Sequence, residues 1–368
     1  HNPGVILLPI LMCIECKVRT PGGEPIMEDN RAAAVELTAP SDNMTPNTSA
    51  VQTRKKCSLK VDCVIDDRYK LLAEVGYGGM GMVFRALDTQ TGDLKAVKVM
   101  HNHLQDNETN IKRFEREAEV ALDLDHENII SVCRFGLTEK HEPYIIMEFL
   151  KGESLDELIQ HSGAVPVDLF YHLFIQICRG LSYSHSKGVV HRDIKPSNIM
   201  IVDGEDGTDL VKIVDFGIAR VCSKTGVVCP TTSNMLKALC KTSADLTDEQ
   251  KDELQRLTQP GEIFGSPLYM SPEQCQGEEA DCRSEVYSLG CMMFEALTGK
   301  PPLKGSNAMD TLILRINEDA PSINSVDPEL NFPEALEKVV AKALARYPDQ
   351  RYQEVHELTA ALEEAMAS

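Results

Sequence analysis

One stretch limits what this chain can become more than any other. It is His191-Arg192-Asp193-Ile194-Lys195-Pro196-Ser197-Asn198, with Asp215-Phe216-Gly217 beginning 17 residues after Asn198. A carboxylate, an ammonium and an amide fall within six positions, and a second carboxylate follows. These groups suit a substrate rich in anionic oxygens. Asp193 can accept the hydrogen bond of a hydroxyl and take its proton. Lys195 can stabilise a transferring phosphoryl group, and Asn198 and Asp215 can hold Mg²⁺. Each triplet alone could be surface decoration; together and in this order they are a poor fit to chance.

Upstream, Gly76-Tyr77-Gly78-Gly79-Met80-Gly81-Met82-Val83 carries glycines at the spacing of a phosphate-covering loop. A dinucleotide fold uses the same glycines but follows them with a helix. Here Val83, Arg85 and Leu87 alternate, which predicts a hairpin whose amides lie over phosphates. Ala96-Val97-Lys98 reads as a third strand with Lys98 aimed at the same phosphates. A lone strand lysine is usually solvated, and this one needs a carboxylate partner. Phe114, Glu117, Ala118 and Ala121 share one helical face and offer Glu117, whereas Glu115 and Glu119 fall off that face.

Strand patterning covers Tyr69 to Val75, Met80 to Asp88, Asp93 to Met100, Val132 to Leu137 and Pro143 to Phe149. Ser154-x-x-Glu157 is a capping box. Helical patterning then covers Leu169 to Ser186, Ser284 to Leu297, Pro333 to Arg346 and Gln353 to Met366. A strand-rich first part and a helix-rich second part predict an α+β fold in two lobes, 65–148 and 149–366.

From about Tyr69 to Leu362 the chain resembles the eukaryotic-type protein kinase family, and most of all its bacterial serine/threonine branch. Ser271-Pro272-Glu273 resembles the end of the activation segment, and Arg351 the late arginine that pairs with that glutamate. Gly265-Ser266-Pro267-x-Tyr269-Met270 resembles the substrate-docking stretch, and Lys195 is the serine/threonine pattern. The resemblance implies a two-lobed kinase fold that transfers the γ-phosphoryl of ATP, with Mg²⁺, to Ser or Thr of proteins, itself included. Homodimers for trans-autophosphorylation would fit. It makes Asp193, Lys195, Lys98 and Glu117 the catalytic set and Asn198 and Asp215 the metal ligands. Gly76, Tyr77, Gly78, Gly79, Gly81 and Lys98 would bind the nucleotide phosphates. Met147 would be the gatekeeper and Glu148 to Leu150 the hinge; adenine would sit between Val83 and Ala96 above and Met200 below. A silent kinase-fold scaffold is the alternative, but such relatives usually lack one of Lys98, Glu117, Asp193, Asn198 and Asp215. A small-molecule kinase is disfavoured by the docking stretch.

Composition adds exclusions. The formal net charge of -20 disfavours nucleic acid. No stretch approaches the roughly 20 apolar residues of a membrane span, since Val5 to Met12 is short and broken by Pro9. His1 leaves a signal or anchor upstream open. Twelve scattered cysteines beside ATP-using motifs predict reduced thiols and a cytoplasmic setting. Residues 1–64, rich in Pro, Ser, Thr and Asn, predict a mostly disordered lead-in, with regular structure from near Asp66. Cys13, Cys16, Cys57 and Cys63 could hold zinc, although the second pair is spaced too widely for the usual pattern.

Two departures from the family pattern stand out. Glu285 occupies a helix position where the family carries an aspartate that anchors the catalytic loop; one extra methylene predicts tuned rather than abolished activity. From Asp215 to Glu273 is 58 positions, about twice the family's usual length, and the excess lies between about Cys222 and Gly261. A disordered insertion and a regulatory element both fit, the second because Arg192 precedes Asp193 and can await a phosphate. Thr231, Thr232, Ser233, Thr242, Ser243 and Thr258 are candidate acceptors. Thr247-x-x-Gln250 could cap a short helix through Leu257, and Cys222, Cys229 and Cys240 could be redox-sensitive. Ser197 stands where base-directed relatives carry glutamate.

Overall fold

The computed structural model describes residues 59–77, 81–101, 108–204, 207–216, 267–327 and 331–367. Six strands form one antiparallel sheet: Val64–Ile65 (β1), Tyr69–Tyr77 (β2), Gly81–Asp88 (β3), Leu94–Met100 (β4), Val132–Leu137 (β5) and Pro143–Glu148 (β6). Their order is β1-β2-β3-β4-β6-β5. Side chains alternate faces along a strand, so each central strand feeds two cores. Phe84, Val97, Val99, Tyr144 and Ile146 pack on one side. Val83, Ala96, Ile145 and Met147 pack on the other, with Phe114 and Ala118 of the helix Glu108–Leu122 (α1). Lys98 follows the second set in register, opposite Ile145 on β6. A one-residue slip would turn it to the wrong face, and burial of both faces forbids that slip.

The helix α1 buries Phe114, Ala118 and Ala121 and exposes Glu115 and Glu119, as the apolar spacing predicts. Gly81 is required where β3 crosses β4, because a Cβ there would overlap the Val99 carbonyl.

The second lobe is built on helices Leu155–Ser162 (α2), Val167–Ser186 (α3), Pro272–Cys275 (α4), Cys282–Thr298 (α5), Ala308–Asn317 (α6), Glu334–Ala343 (α7) and Val355–Ala367 (α8). Ser154 and Glu157 form the expected reciprocal cap of α2. The helix α5 is buried on all sides from Ser284 to Phe294, which marks it as the centre of this lobe. It ends on Gly299, whose φ of 72° closes the helix in the left-handed conformation. A small antiparallel sheet, Gly152–Ser154 (β7), Ile199–Asp203 (β8) and Asp209–Ile213 (β9), faces the first lobe. Met200 and Val214 from this region join the cluster of Val83, Ala96 and Met147, so the two lobes share one apolar seam. The α+β, two-lobed arrangement is the one the sequence predicts.

Some elements differ from expectation. Among the described residues the first strand is β1, close to the expected start near Asp66, and Leu59 and Cys63 before it pack against the sheet's outer core. Gly76 and Tyr77 belong to β2, paired with Val83 and Met82, rather than to a turn. The strands β7 to β9 and the helix α6 lie where no element was predicted. Cys13, Cys16, Cys57, the 222–261 segment and its candidate acceptors lie outside the described residues, as do Gly78 and Gly79. Among the described residues no helix is long and apolar enough to cross a membrane.

Candidate active site

The site lies at the seam between lobes. Val83, Ala96, Met147, Leu150 and Met200, which the sequence analysis assigns to adenine, are all buried in one cluster. Beside it, Glu148 Oε1 accepts from the Ser131 amide at 2.7 Å and the Lys212 ammonium at 2.9 Å. Those bonds tie the side chain of the hinge glutamate to its own lobe and to β9.

Lys98 is buried, and its Nζ lies 2.9 Å from Asp215 Oδ1; the side chains are 4% and 23% exposed. The lysine is enclosed, while the carboxylate keeps an accessible edge. Burial alone would raise the Asp215 carboxyl; the Lys98 ammonium more than offsets this and holds it below the ordinary carboxylate range. Glu117 sits on α1 between Arg116 and the buried Ala118, and its side chain lies outside the described ones.

The loop bearing Asp193 is held from three directions. Asn198 Nδ2 donates to the Asp193 carbonyl at 2.9 Å. That bond orients the amide and leaves Asn198 Oδ1 as its acceptor end. His191 accepts from the Asp193 amide on Nδ1 at 3.3 Å, so its Nε2 carries the proton and donates to the Val214 carbonyl at 3.1 Å. Burial lowers the His191 pKa and keeps the ring neutral, as this bonding requires. Its ring lies 4.7 Å from that of Phe216, which joins the two sequence motifs. Lys195 Nζ donates to Asp193 Oδ2 at 2.6 Å.

Below the loop, Glu285 accepts from the Arg192 amide on Oε1 and meets His185 Nε2 with Oε2, both at 2.6 Å. Glu285 is 2% exposed. The extra methylene of glutamate is therefore used: one carboxylate bridges the loop backbone and the end of α3. Burial disfavours the charged imidazole of His185, but the Glu285 carboxylate outweighs it and raises the His185 pKa overall. Arg192 (φ 67°) and Asp215 (φ 53°) both adopt left-handed backbone. Such conformations cost of order 1–3 kcal/mol each and persist where the surroundings over-determine them. The Glu285 and Lys98 bonds supply that constraint.

The docking stretch ends in a buried pair. Arg351 grips Glu273 through Nη1 at 2.7 Å and Nη2 at 2.9 Å. Ser284 Oγ donates to the same carboxylate at 2.6 Å.

Thus the structure gathers Lys98, Asp193, Lys195, Asn198 and Asp215 at one place. Asn198 Oδ1 and the ionised Asp215 carboxylate are hard oxygen donors of the kind Mg²⁺ takes. Sequence reasoning missed His185, Lys212 and Ser284. The first two carry no local signal, because their partners lie 100 and 64 positions away. Ser284 had one, since Asp281-x-x-Ser284 is an N-cap pattern.

Residues 69–363 match the family described as protein kinase domain. The chain belongs to the protein kinase family. Within it, the chain is 35% identical over 301 residues to "Probable serine/threonine-protein kinase PknB" of Lactococcus lactis, covering 82% of this chain and 42% of that protein. It is 36% identical over 305 residues to serine/threonine-protein kinase PknB of Mycolicibacterium smegmatis, covering 81% and 43%. The chain thus spans less than half the length of these curated relatives. The PknI kinase domain of Mycobacterium tuberculosis superposes with a TM-score of 0.60 at 21% identity, covering 84% of this chain and all of that one. That likeness establishes the protein kinase fold, in the Hanks-type bacterial branch to which the sequence relatives point.

Proposed function

We propose that this chain is an active protein serine/threonine kinase, transferring the γ-phosphoryl of ATP to Ser or Thr hydroxyls of proteins. The observation that carries the proposal is the convergence of Lys98, Asp193, Lys195, Asn198 and Asp215 on one seam between the lobes. In this reading Asp193 orients the acceptor hydroxyl and takes its proton. Lys195, already 2.6 Å from Asp193, swings its charge toward the transferring group. Lys98 meets the nucleotide phosphates beneath the paired strands β2 and β3, with Glu117 as its fixing partner. Adenine occupies the seam of Val83, Ala96, Met147, Leu150 and Met200. Asn198 and Asp215 would hold Mg²⁺, which when bound neutralises phosphate charge. The catalytic unit is residues 65–366, interrupted by the 222–261 insertion, and works in the cytoplasm where ATP is held. Trans-autophosphorylation between two copies is the form of self-modification we favour.

Purified chain with Mg²⁺, labelled ATP and a protein acceptor should yield phosphoserine or phosphothreonine. Asp193→Asn should lower the rate about 10²- to 10⁴-fold. Equal rates in that variant would sink the assignment.

A further inference from the structure

The helix α6 carries a buried charge that the catalytic set does not use. Arg315 is 0% exposed and makes no ion pair among the described residues. Burying a guanidinium without a carboxylate is unfavourable unless its donors are otherwise satisfied. Its two Nη atoms are met by backbone, Nη2 donating to the Leu268 carbonyl and Nη1 lying 3.4 Å from the Met270 carbonyl, while Nε has no hydrogen-bond partner among the described residues. Nη1 also reaches Cys291 Sγ at 3.0 Å, and the guanidinium lies 5.6 Å from the centre of the Tyr287 ring. Between the two carbonyls, that of Tyr269 accepts from Ser288 Oγ at 2.7 Å, and the Tyr269 hydroxyl donates to Glu295 at 2.5 Å.

Three consecutive carbonyls of the docking stretch are therefore held by side chains from α5 and α6. Apolar contact adds to this, since Leu312 and Ile316 pack against Met270. A planar fork can hold two carbonyls at once, which a methionine of similar bulk cannot and a lysine can do only in part.

We infer that Arg315 is a positioning residue for the protein substrate, acting through the Leu268 to Met270 backbone and not on ATP. The inference rests on the kinase reading above and deepens it. Arg315 touches neither nucleotide nor reacting atoms, so its signature is selective. Loss of its two carbonyl bonds deforms the surface a peptide docks on and leaves the seam between the lobes intact.

The test is steady-state kinetics of Arg315→Met, Arg315→Lys and Ser288→Ala, each in the whole 368-residue chain, with peptide and ATP varied separately. In Arg315→Met the KM for peptide should rise about ten-fold or more, as expected for losing bonds from a charged donor. The KM for ATP and the saturating kcat should change less than about two-fold over the same preparations. Arg315→Lys should fall between wild type and Arg315→Met, and Ser288→Ala should shift peptide KM in the same direction. If Arg315→Met does not fold, the other two variants carry the test. A peptide KM unchanged in all folded variants, or equal losses in ATP and peptide parameters, overturns the inference while wild type still transfers phosphate. Wild type without any transfer overturns the kinase reading and the inference with it.

Discussion

Replacing Glu285 by the family's own aspartate should harm this protein. Aspartate is shorter by one carbon–carbon bond, about 1.5 Å. The glutamate now spans two partners at 2.6 Å each, the Arg192 amide and His185. The backbone of α5 cannot follow the shortened side chain, because the helix is buried on all sides; at Gly290 an added Cβ would already lie 2.9 Å from Leu344. Glu285→Asp therefore loses one of two charge-assisted bonds, about 1.5–3 kcal/mol. Expressed wholly in the transition state, that is a fall in kcat of about 10- to 150-fold, which sets the upper bound. For a domain of about 300 residues the same loss lowers Tm by roughly 2–5 °C. Glu285→Gln keeps the length and can still accept from the Arg192 amide, so it should be the milder change. Peptide kinetics and thermal unfolding of both variants provide the check. An aspartate variant within two-fold of wild-type kcat and with unchanged Tm would refute the reasoning.

Other expectations concern the same framework. Arg351→Met strands the Glu273 carboxylate in the interior and should destabilise by about 3–5 kcal/mol, or roughly 5–8 °C in Tm. Calorimetry of that variant beside Glu273→Leu/Arg351→Met checks it, with the double variant recovering most of the loss. His185, whose pKa is raised in the folded state, contributes stability that is fully present below the ordinary imidazole value of about 6.5 and is lost as pH climbs through the raised one. Denaturant melts at about pH 6 and about pH 9 should therefore show the difference between wild type and His185→Gln shrinking as pH rises.

Much of this protein is legible from its sequence because its chemistry is local. Asp193, Lys195 and Asn198 lie within one loop, and capping boxes act over three residues, so Ser154 and Glu157 could be paired before any fold was known. The strands of the first lobe were legible from alternation. The strands β7 to β9 were not, since each is only three to five residues long and pairs in a sheet of its own. The helix α6 carried a signal that went unread, for Asn307 caps it by accepting from the Asp310 amide. Arg315 could not be read in advance: an arginine in the last turn of a helix is ordinarily solvated, and its burial depends on carbonyls more than 40 positions away. Lys98 shows the limit from the other side. Its need for a carboxylate was evident, but nothing local marked Asp215, 117 positions on, as the partner it meets here.

The buried pair of Glu273 and Arg351 also constrains how such a chain can change over generations. Apolar replacement of both residues together would be nearly neutral, whereas losing either alone strands a charge. Between the two tolerated states lies a valley that single substitutions must cross. A lineage carrying this pair is held to it by the instability of every one-step exit, whether or not the ion pair itself adds net stability.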